Sequence, residues 1–172
     1  MTKWINLVAI MTVAAPIYAQ GGTLPKAVAD LGCLVGNWRG GGTVALGKDK
    51  VKVGADWNCQ RTASEFGVLC ALRVTGIPGV SSYAETDLFG FEPNTNQYHW
   101  YAVTNAGETH DHVASLTEGN RIQFVYIGTQ GGKALKEVIE LNFAPDHKSV
   151  TGRAETFVGR AKTSVMELNL HQ

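Results

Sequence analysis

Beyond Gly36 the chain is a near-unbroken succession of short segments in which apolar residues recur at every second position, each segment closed by Gly, Asn, Asp or Pro. No other feature constrains the fold as much. A period of two makes a strand with one apolar face, and a turn of few residues returns the next strand antiparallel beside it. Strands are predicted over 37–46, 51–60, 66–74, 82–91, 97–104, 108–116, 121–127, 135–143, 149–156 and 161–170. So many antiparallel strands in a row must stack as two sheets or close on themselves, and closure removes both edges. The expected fold is therefore all-β, an antiparallel up-and-down barrel of about ten strands.

Composition agrees with a single domain that is rich in turns: 20 glycines and 5 prolines in 172 residues. Lys+Arg 15 and Asp+Glu 15 balance to a formal net charge of +0. No basic run alternates with aromatics, which argues against a nucleic-acid-binding face. Gly40-Gly41-Gly42 and Gly131-Gly132 do not stand between a strand and a helix, so they do not make a phosphate loop. Ser64, Ser81 and Ser82 lack a nucleophile-elbow motif. No catalytic residue is assigned on these grounds.

Lys3, the apolar run from Ile5 to Ala15 and the breaker Pro16 have the order of an export signal, with cleavage expected after Ala19. The run is too short to span a bilayer, so no stable membrane insertion is expected after cleavage. Leu31-Gly32-Cys33 is not a lipoprotein site, because it lies beyond charged and polar residues. The expected organisation is a signal over residues 1–19, a linker and capping helix over 20–35, and the barrel over 36–172. The helix begins near Pro25, where a missing N–H is harmless, and presents Leu31, Leu34 and Val35 on one side to cap one end of the barrel.

A periplasmic or secreted destination makes a disulfide possible among the three cysteines. Cys59 and Cys70 are the expected pair, since a hairpin about Ser64 and Glu65 sets them opposite each other. Cys33 is then left over under the helix, although pairings through Cys33 stay open from sequence alone.

Leu34, Gly36, Trp38 and Gly40 form a Leu-x-Gly-x-Trp-x-Gly start that resembles the entrance to the first strand in the calycin superfamily of lipocalins and fatty-acid-binding proteins. That resemblance implies structural roles for Gly36, Trp38 and Arg39, with the Trp packed across the closed end of a barrel. The stretch from Asp87 to Tyr101 resembles a Gly-aromatic-Asp-x-x-x-x-x-Tyr pattern followed by Trp in an uncharacterised bacterial family with a lipocalin-like barrel. Phe91 and Glu92 stand where that pattern has Tyr and Asp. A second resemblance, to nitrobindin-type barrels that bind haem through a His near the C-terminus, would rest on His171.

The densest group of polar side chains is His99, Tyr101, His110, Asp111 and His112. A two-residue loop at Ala106-Gly107 puts His99, Tyr101, His110 and His112 on one face. A three-residue loop instead sets Trp100 against His112 and sends His99 to the other face with Asp111. In the first register His110 and His112 could hold a metal, and a barrel enzyme would use His99, His110 and His112; the competing reading is a pair of rim histidines beside a turn. Arg153 and Glu155 share a face, with Glu137 in the preceding strand. Arg153 is either an anchor for a ligand carboxylate or part of an exposed ladder of cross-strand charges.

These observations lead to one expectation: an exported barrel that binds a small apolar or amphipathic molecule, with Trp100, Tyr101, Phe124, Tyr126 and Arg153 in its wall. No cofactor is expected in that case. A metal at His110 and His112, a haem, or a purely structural role in the envelope are the alternatives.

Overall fold

The computed structural model describes residues 23–172, so the expected signal over 1–19 lies outside the described residues. A short helix, α1 (Lys26–Asp30), runs into a turn of 3-10 helix over Leu31–Leu34. Ten strands follow: β1 (Gly36–Leu46), β2 (Asp49–Arg61), β3 (Val68–Thr75), β4 (Tyr83–Glu92), β5 (Gln97–Thr104), β6 (Thr109–Glu118), β7 (Arg121–Gln130), β8 (Lys133–Phe143), β9 (Ser149–Val158) and β10 (Ala161–His171). Each strand pairs antiparallel with the next, and β10 returns to β1. The sheet is a closed barrel, the expected one of the two arrangements open to so many antiparallel strands. Among the described residues no helix is long and apolar enough to cross a membrane.

The alternation of each strand sorts the core. Trp57, Cys59, Cys70, Leu72, Phe89, Trp100, Phe124, Leu141, Val150, Leu168 and Leu170 are buried in one cluster. At the end of the barrel where β1 starts, Leu31 and Leu34 pack on Trp38, whose Nε1–H donates to the Leu34 carbonyl at 2.7 Å. Trp38 meets Phe143 edge-on at 6.2 Å between centroids. Arg61 at the end of β2 donates to the carbonyls of Val28 at 2.9 Å and Ala29 at 3.1 Å. It thereby ties the last turn of the helix to the end of β2. The helix thus closes this end, and the hairpins β1–β2, β5–β6 and β9–β10 surround the other.

The disulfide joins Cys59 to Cys70, which are direct cross-strand partners on β2 and β3 with Cα atoms 4.0 Å apart. Cys33 is free and half-buried; burial pushes its thiol up to about 11. Arg39 does not share the place of Trp38 at the barrel end. It is exposed on the outer face beside Asp56 at 3.4 Å and does not cover the barrel end, because Trp38 takes the inward phase and its neighbour must point out.

The glycine triplet belongs to barrel closure. A Cβ on Gly42 would lie 1.7 Å from the Glu167 carbonyl oxygen of β10, and one on Gly41 would lie 2.4 Å from that of Val53 on β2. At this point β1 is squeezed between both neighbours.

The hairpin β7–β8 is longer than predicted. β7 runs on past Ile127 to Gln130 and β8 begins before Leu135, at Lys133, leaving Gly131-Gly132 as the turn, with φ of 56° and 75°. Two consecutive positive φ angles match the twist of the flanking strands. Gly128 sits inside β7, where the ring of Tyr126 occupies the space its Cβ would take: the phenol oxygen is 2.3 Å from that position.

Candidate functional site

A cavity of about 300 Å³ opens inside the barrel on the side away from the helix. One wall is apolar, built by Val44 of β1, Ala154 of β9 and Met166, Leu168 and Leu170 of β10. The opposite wall is polar and is made by alternate residues of β4, β6 and β8: Tyr83, Glu85, His110, His112 and Glu137.

The β5–β6 turn decides how that wall forms. Asn105-Ala106-Gly107 is a three-residue loop with Gly107 at φ 84°, so Trp100 pairs with His112, Tyr101 with Asp111 and Ala102 with His110. His110 and His112 therefore point inward in phase with Trp100. His99 is sent outward, where its Nδ1 lies 3.0 Å from Asp111. This is the second of the two registers open from sequence, and it removes His99 from any group with His110 and His112. Tyr101 is likewise outside and 46% exposed, not in the wall.

Inside, the partner of both histidines is Glu137. Its Oε2 is 2.7 Å from His110 Nδ1 and 3.1 Å from His112 Nε2. Burial opposes ionisation of Glu137, but the hydrogen bond from His112 and the charge and hydrogen bond of His110 outweigh it and hold the carboxyl below its usual range. Tyr126 stacks on His110 with centroids 4.0 Å apart and planes 13° from parallel. Trp100 lies against His112 at 5.6 Å. His112 is 3% exposed, and its Nδ1 has no hydrogen-bond partner among the described residues.

A second polar group descends from the mouth along β4. The Tyr83 hydroxyl donates to Glu85, and burial, then the charge of Glu85, raises the phenol far above its ordinary range. Deeper in, Asp87 is wholly buried. It accepts Trp100 Nε1–H on Oδ1 at 2.8 Å and Trp57 Nε1–H on Oδ2 at 3.1 Å. Burial and then Glu85 push its carboxyl up to about 9, against the pull of the two indoles. The shift favours the protonated form of the Asp87 carboxyl beside Glu85. The aromatic floor below consists of Phe89 and Trp100, 4.8 Å apart, with Phe124 edge-on to Trp100 at 5.6 Å.

Of the expected wall residues, Trp100 lines the cavity. Phe124 is buried beneath it, and Tyr126 backs His110. Arg153 borders the cavity, but its guanidinium is 47% exposed and engaged with Glu155 and Glu167. With Arg121–Glu140 on β7 and β8 and Lys162–Glu155, it belongs to a charge ladder on the outer face. The carboxylate-anchor role is therefore overturned, since period-two alternation puts Gly152 and Ala154 inward and Arg153 outward. His171 is exposed next to inward-facing Leu170 and does not reach the interior.

Sequence reasoning missed the roles of Asp87, Glu85 and Tyr83. The signal was available, because Tyr83, Glu85, Asp87 and Phe89 share one phase of β4, so an inward Phe89 carries the acids in with it.

No protein-family model matches the chain, and no curated protein matches it. Among solved structures the chain is similar to the protein in "Crystal Structure of Rv2717c from M. tuberculosis", with 13% sequence identity and a TM-score of 0.62. The match covers 87% of this chain and 99% of that one. At this identity the likeness concerns the fold, and it agrees with a lipocalin-like barrel in general.

Proposed function

We propose that the protein is an exported binding protein that holds a small amphipathic molecule inside its barrel. The observation that carries this reading is the division of one cavity into an apolar wall and a polar wall. An opening of about 300 Å³ is at the lower end of the range for small-molecule sites, which are typically apolar with a few placed polar groups. The export pattern of residues 1–19 and the Cys59–Cys70 disulfide support an oxidising destination.

The lining also states what kind of polar end fits. Among the described residues every lysine and arginine is exposed except Arg61, which is committed to the helix carbonyls. The polar wall offers carboxyl groups, a phenol and two imidazoles. A ligand carboxylate would meet Glu85 and Glu137 with no lysine or arginine beside them and with both histidines already engaged by Glu137, which costs far more than a neutral head would. The ligand is therefore an amine or an alcohol on an apolar body of modest size, not a fatty-acid anion.

Native mass spectrometry of the protein purified from its source, followed by thermal-shift titration with medium-chain amines, alcohols and fatty acids, tests this. A co-purifying small molecule, and stabilisation by amines or alcohols that Ala154→Trp abolishes, are expected. Absence of any bound mass together with no shift from any member of the panel would overturn the reading.

A further inference from the structure

We propose that His110, His112 and Glu137 form a binding site for one divalent transition-metal ion. The three residues converge although Glu137 is 27 positions from His110 and 25 from His112 in sequence. One ligand atom from each lies within 4.8 Å of the others. The donor set, two imidazole nitrogens and one carboxylate oxygen, suits borderline cations such as Zn²⁺ and Co²⁺ and not Mg²⁺ or Ca²⁺, which require oxygen.

The three ligand atoms stand near metal-binding spacing at the two contacts with Glu137 and wider between the two imidazoles. Metal–nitrogen and metal–oxygen bonds of roughly 2.0–2.2 Å at tetrahedral angles separate ligand atoms by about 3.3 Å. His110 Nδ1 and His112 Nε2 are now 2.7 and 3.1 Å from Glu137 Oε2. These two pairs must open by about 0.6 and 0.2 Å, while the two imidazole nitrogens, within 4.8 Å of each other, must close by up to about 1.5 Å through rotation of the rings. The cation would take the place of the protons that the imidazoles share with Glu137, and the released protons would pass to solvent through the barrel mouth.

The surroundings hold the ligands ready. Tyr126 clamps the His110 ring face to face, Trp100 flanks His112, and both histidines project from a paired strand rather than a loop. Three protein ligands leave a further position, and the cavity that all three residues line is what adjoins it. Water or the polar end of a bound molecule would occupy that position. The site does not depend on the ligand reading above: metal can bind without an organic ligand, and an organic ligand without metal.

The test is titration of the purified, metal-stripped protein with Co²⁺, followed by visible absorption, and then displacement by Zn²⁺. One equivalent is expected to bind, with the bands of a low-coordinate site. His110→Ala and Glu137→Gln should each weaken binding by about 10-fold to 100-fold or more, while His99→Ala, on the outer face, leaves it unchanged. Imidazole nitrogen resonances of the unmodified protein give a readout that needs no variant. Zn²⁺ should shift two of the five histidines, His110 and His112, and leave His99, His147 and His171 in place. The absence of Co²⁺ bands at millimolar metal, shifts confined to other histidines, or binding indifferent to Glu137→Gln would overturn the proposal.

Discussion

Trp100 Nε1–H donates to Oδ1 of Asp87 at 2.8 Å, across the β4–β5 pair and out of reach of water. Trp57 from β2 donates to the other oxygen of the same carboxyl group. One acidic side chain therefore anchors two tryptophans from two neighbouring parts of the wall, and the aromatic floor of the cavity depends on it.

Asp87→Leu removes both acceptors and strands two buried indole N–H groups. Each orphan costs about 1–3 kcal/mol, so a loss of about 2–6 kcal/mol is expected in urea unfolding. Asp87→Asn keeps one acceptor oxygen and should lose clearly less. Equal losses for the two variants would show that the indoles do not depend on this group.

The pH dependence follows from two carboxyl groups with opposite shifts. Asp87 keeps its proton in the fold up to about 9, whereas the unfolded chain releases it near its ordinary value of 3.8. Its contribution to stability is complete below that value and is lost as pH rises through about 9. Glu137 is depressed below its ordinary 4.5, so its contribution is present above that value and is lost as pH falls through its folded value. The urea midpoint should therefore decline from about pH 5 to about pH 9, and Asp87→Asn should flatten that decline. A flat profile in the unmodified protein would contradict the assignment.

Closure at β1 makes Gly42 intolerant of any side chain, since its Cβ would sit 1.7 Å from a backbone carbonyl oxygen that cannot swing away. Gly42→Val should cost about 3 kcal/mol or more. Gly90→Ala is the control. Gly90 has open space around it and an ordinary φ, so thermal unfolding should move by no more than about 0.5 kcal/mol.

Gly128→Val displaces the Tyr126 ring, whose hydroxyl fills the space a Cβ would take. The stacked His110 then loses its aromatic cover. The barrel should persist by circular dichroism, while the His110 ring-proton resonances lose the ring-current shift from Tyr126. Unchanged resonances would mean that the stacking is not held by this glycine.

The Cys59–Cys70 bridge encloses a loop with a sequence separation of 11. Constraining so short a loop in the unfolded chain is worth about 2–3 kcal/mol. The double variant Cys59→Ala with Cys70→Ala should unfold earlier in urea by that amount, and a reductant should lower the stability of the unmodified protein but not of the variant.

The alternation of apolar residues and the punctuation by turn residues determined the strand count and the antiparallel order, because these depend on local period and loop length; closure was favoured over a two-sheet stack only because it leaves no edge unpaired. The Cys59–Cys70 pairing was legible for the same reason: the two cysteines flank one hairpin. What sequence could not decide was the inward phase of each strand and the company kept across the barrel. One residue more in the β5–β6 loop moved His99 and Tyr101 outside and left His110 and His112 within. Glu137 lies far along the chain from both histidines, and Asp87 far from Trp57, so only the wrapping of the sheet brings them together. Arg153 shows the same limit, since its neighbours in sequence suit an anchor equally well, and only the phase of β9, with Gly152 and Ala154 facing in, turned it to solvent.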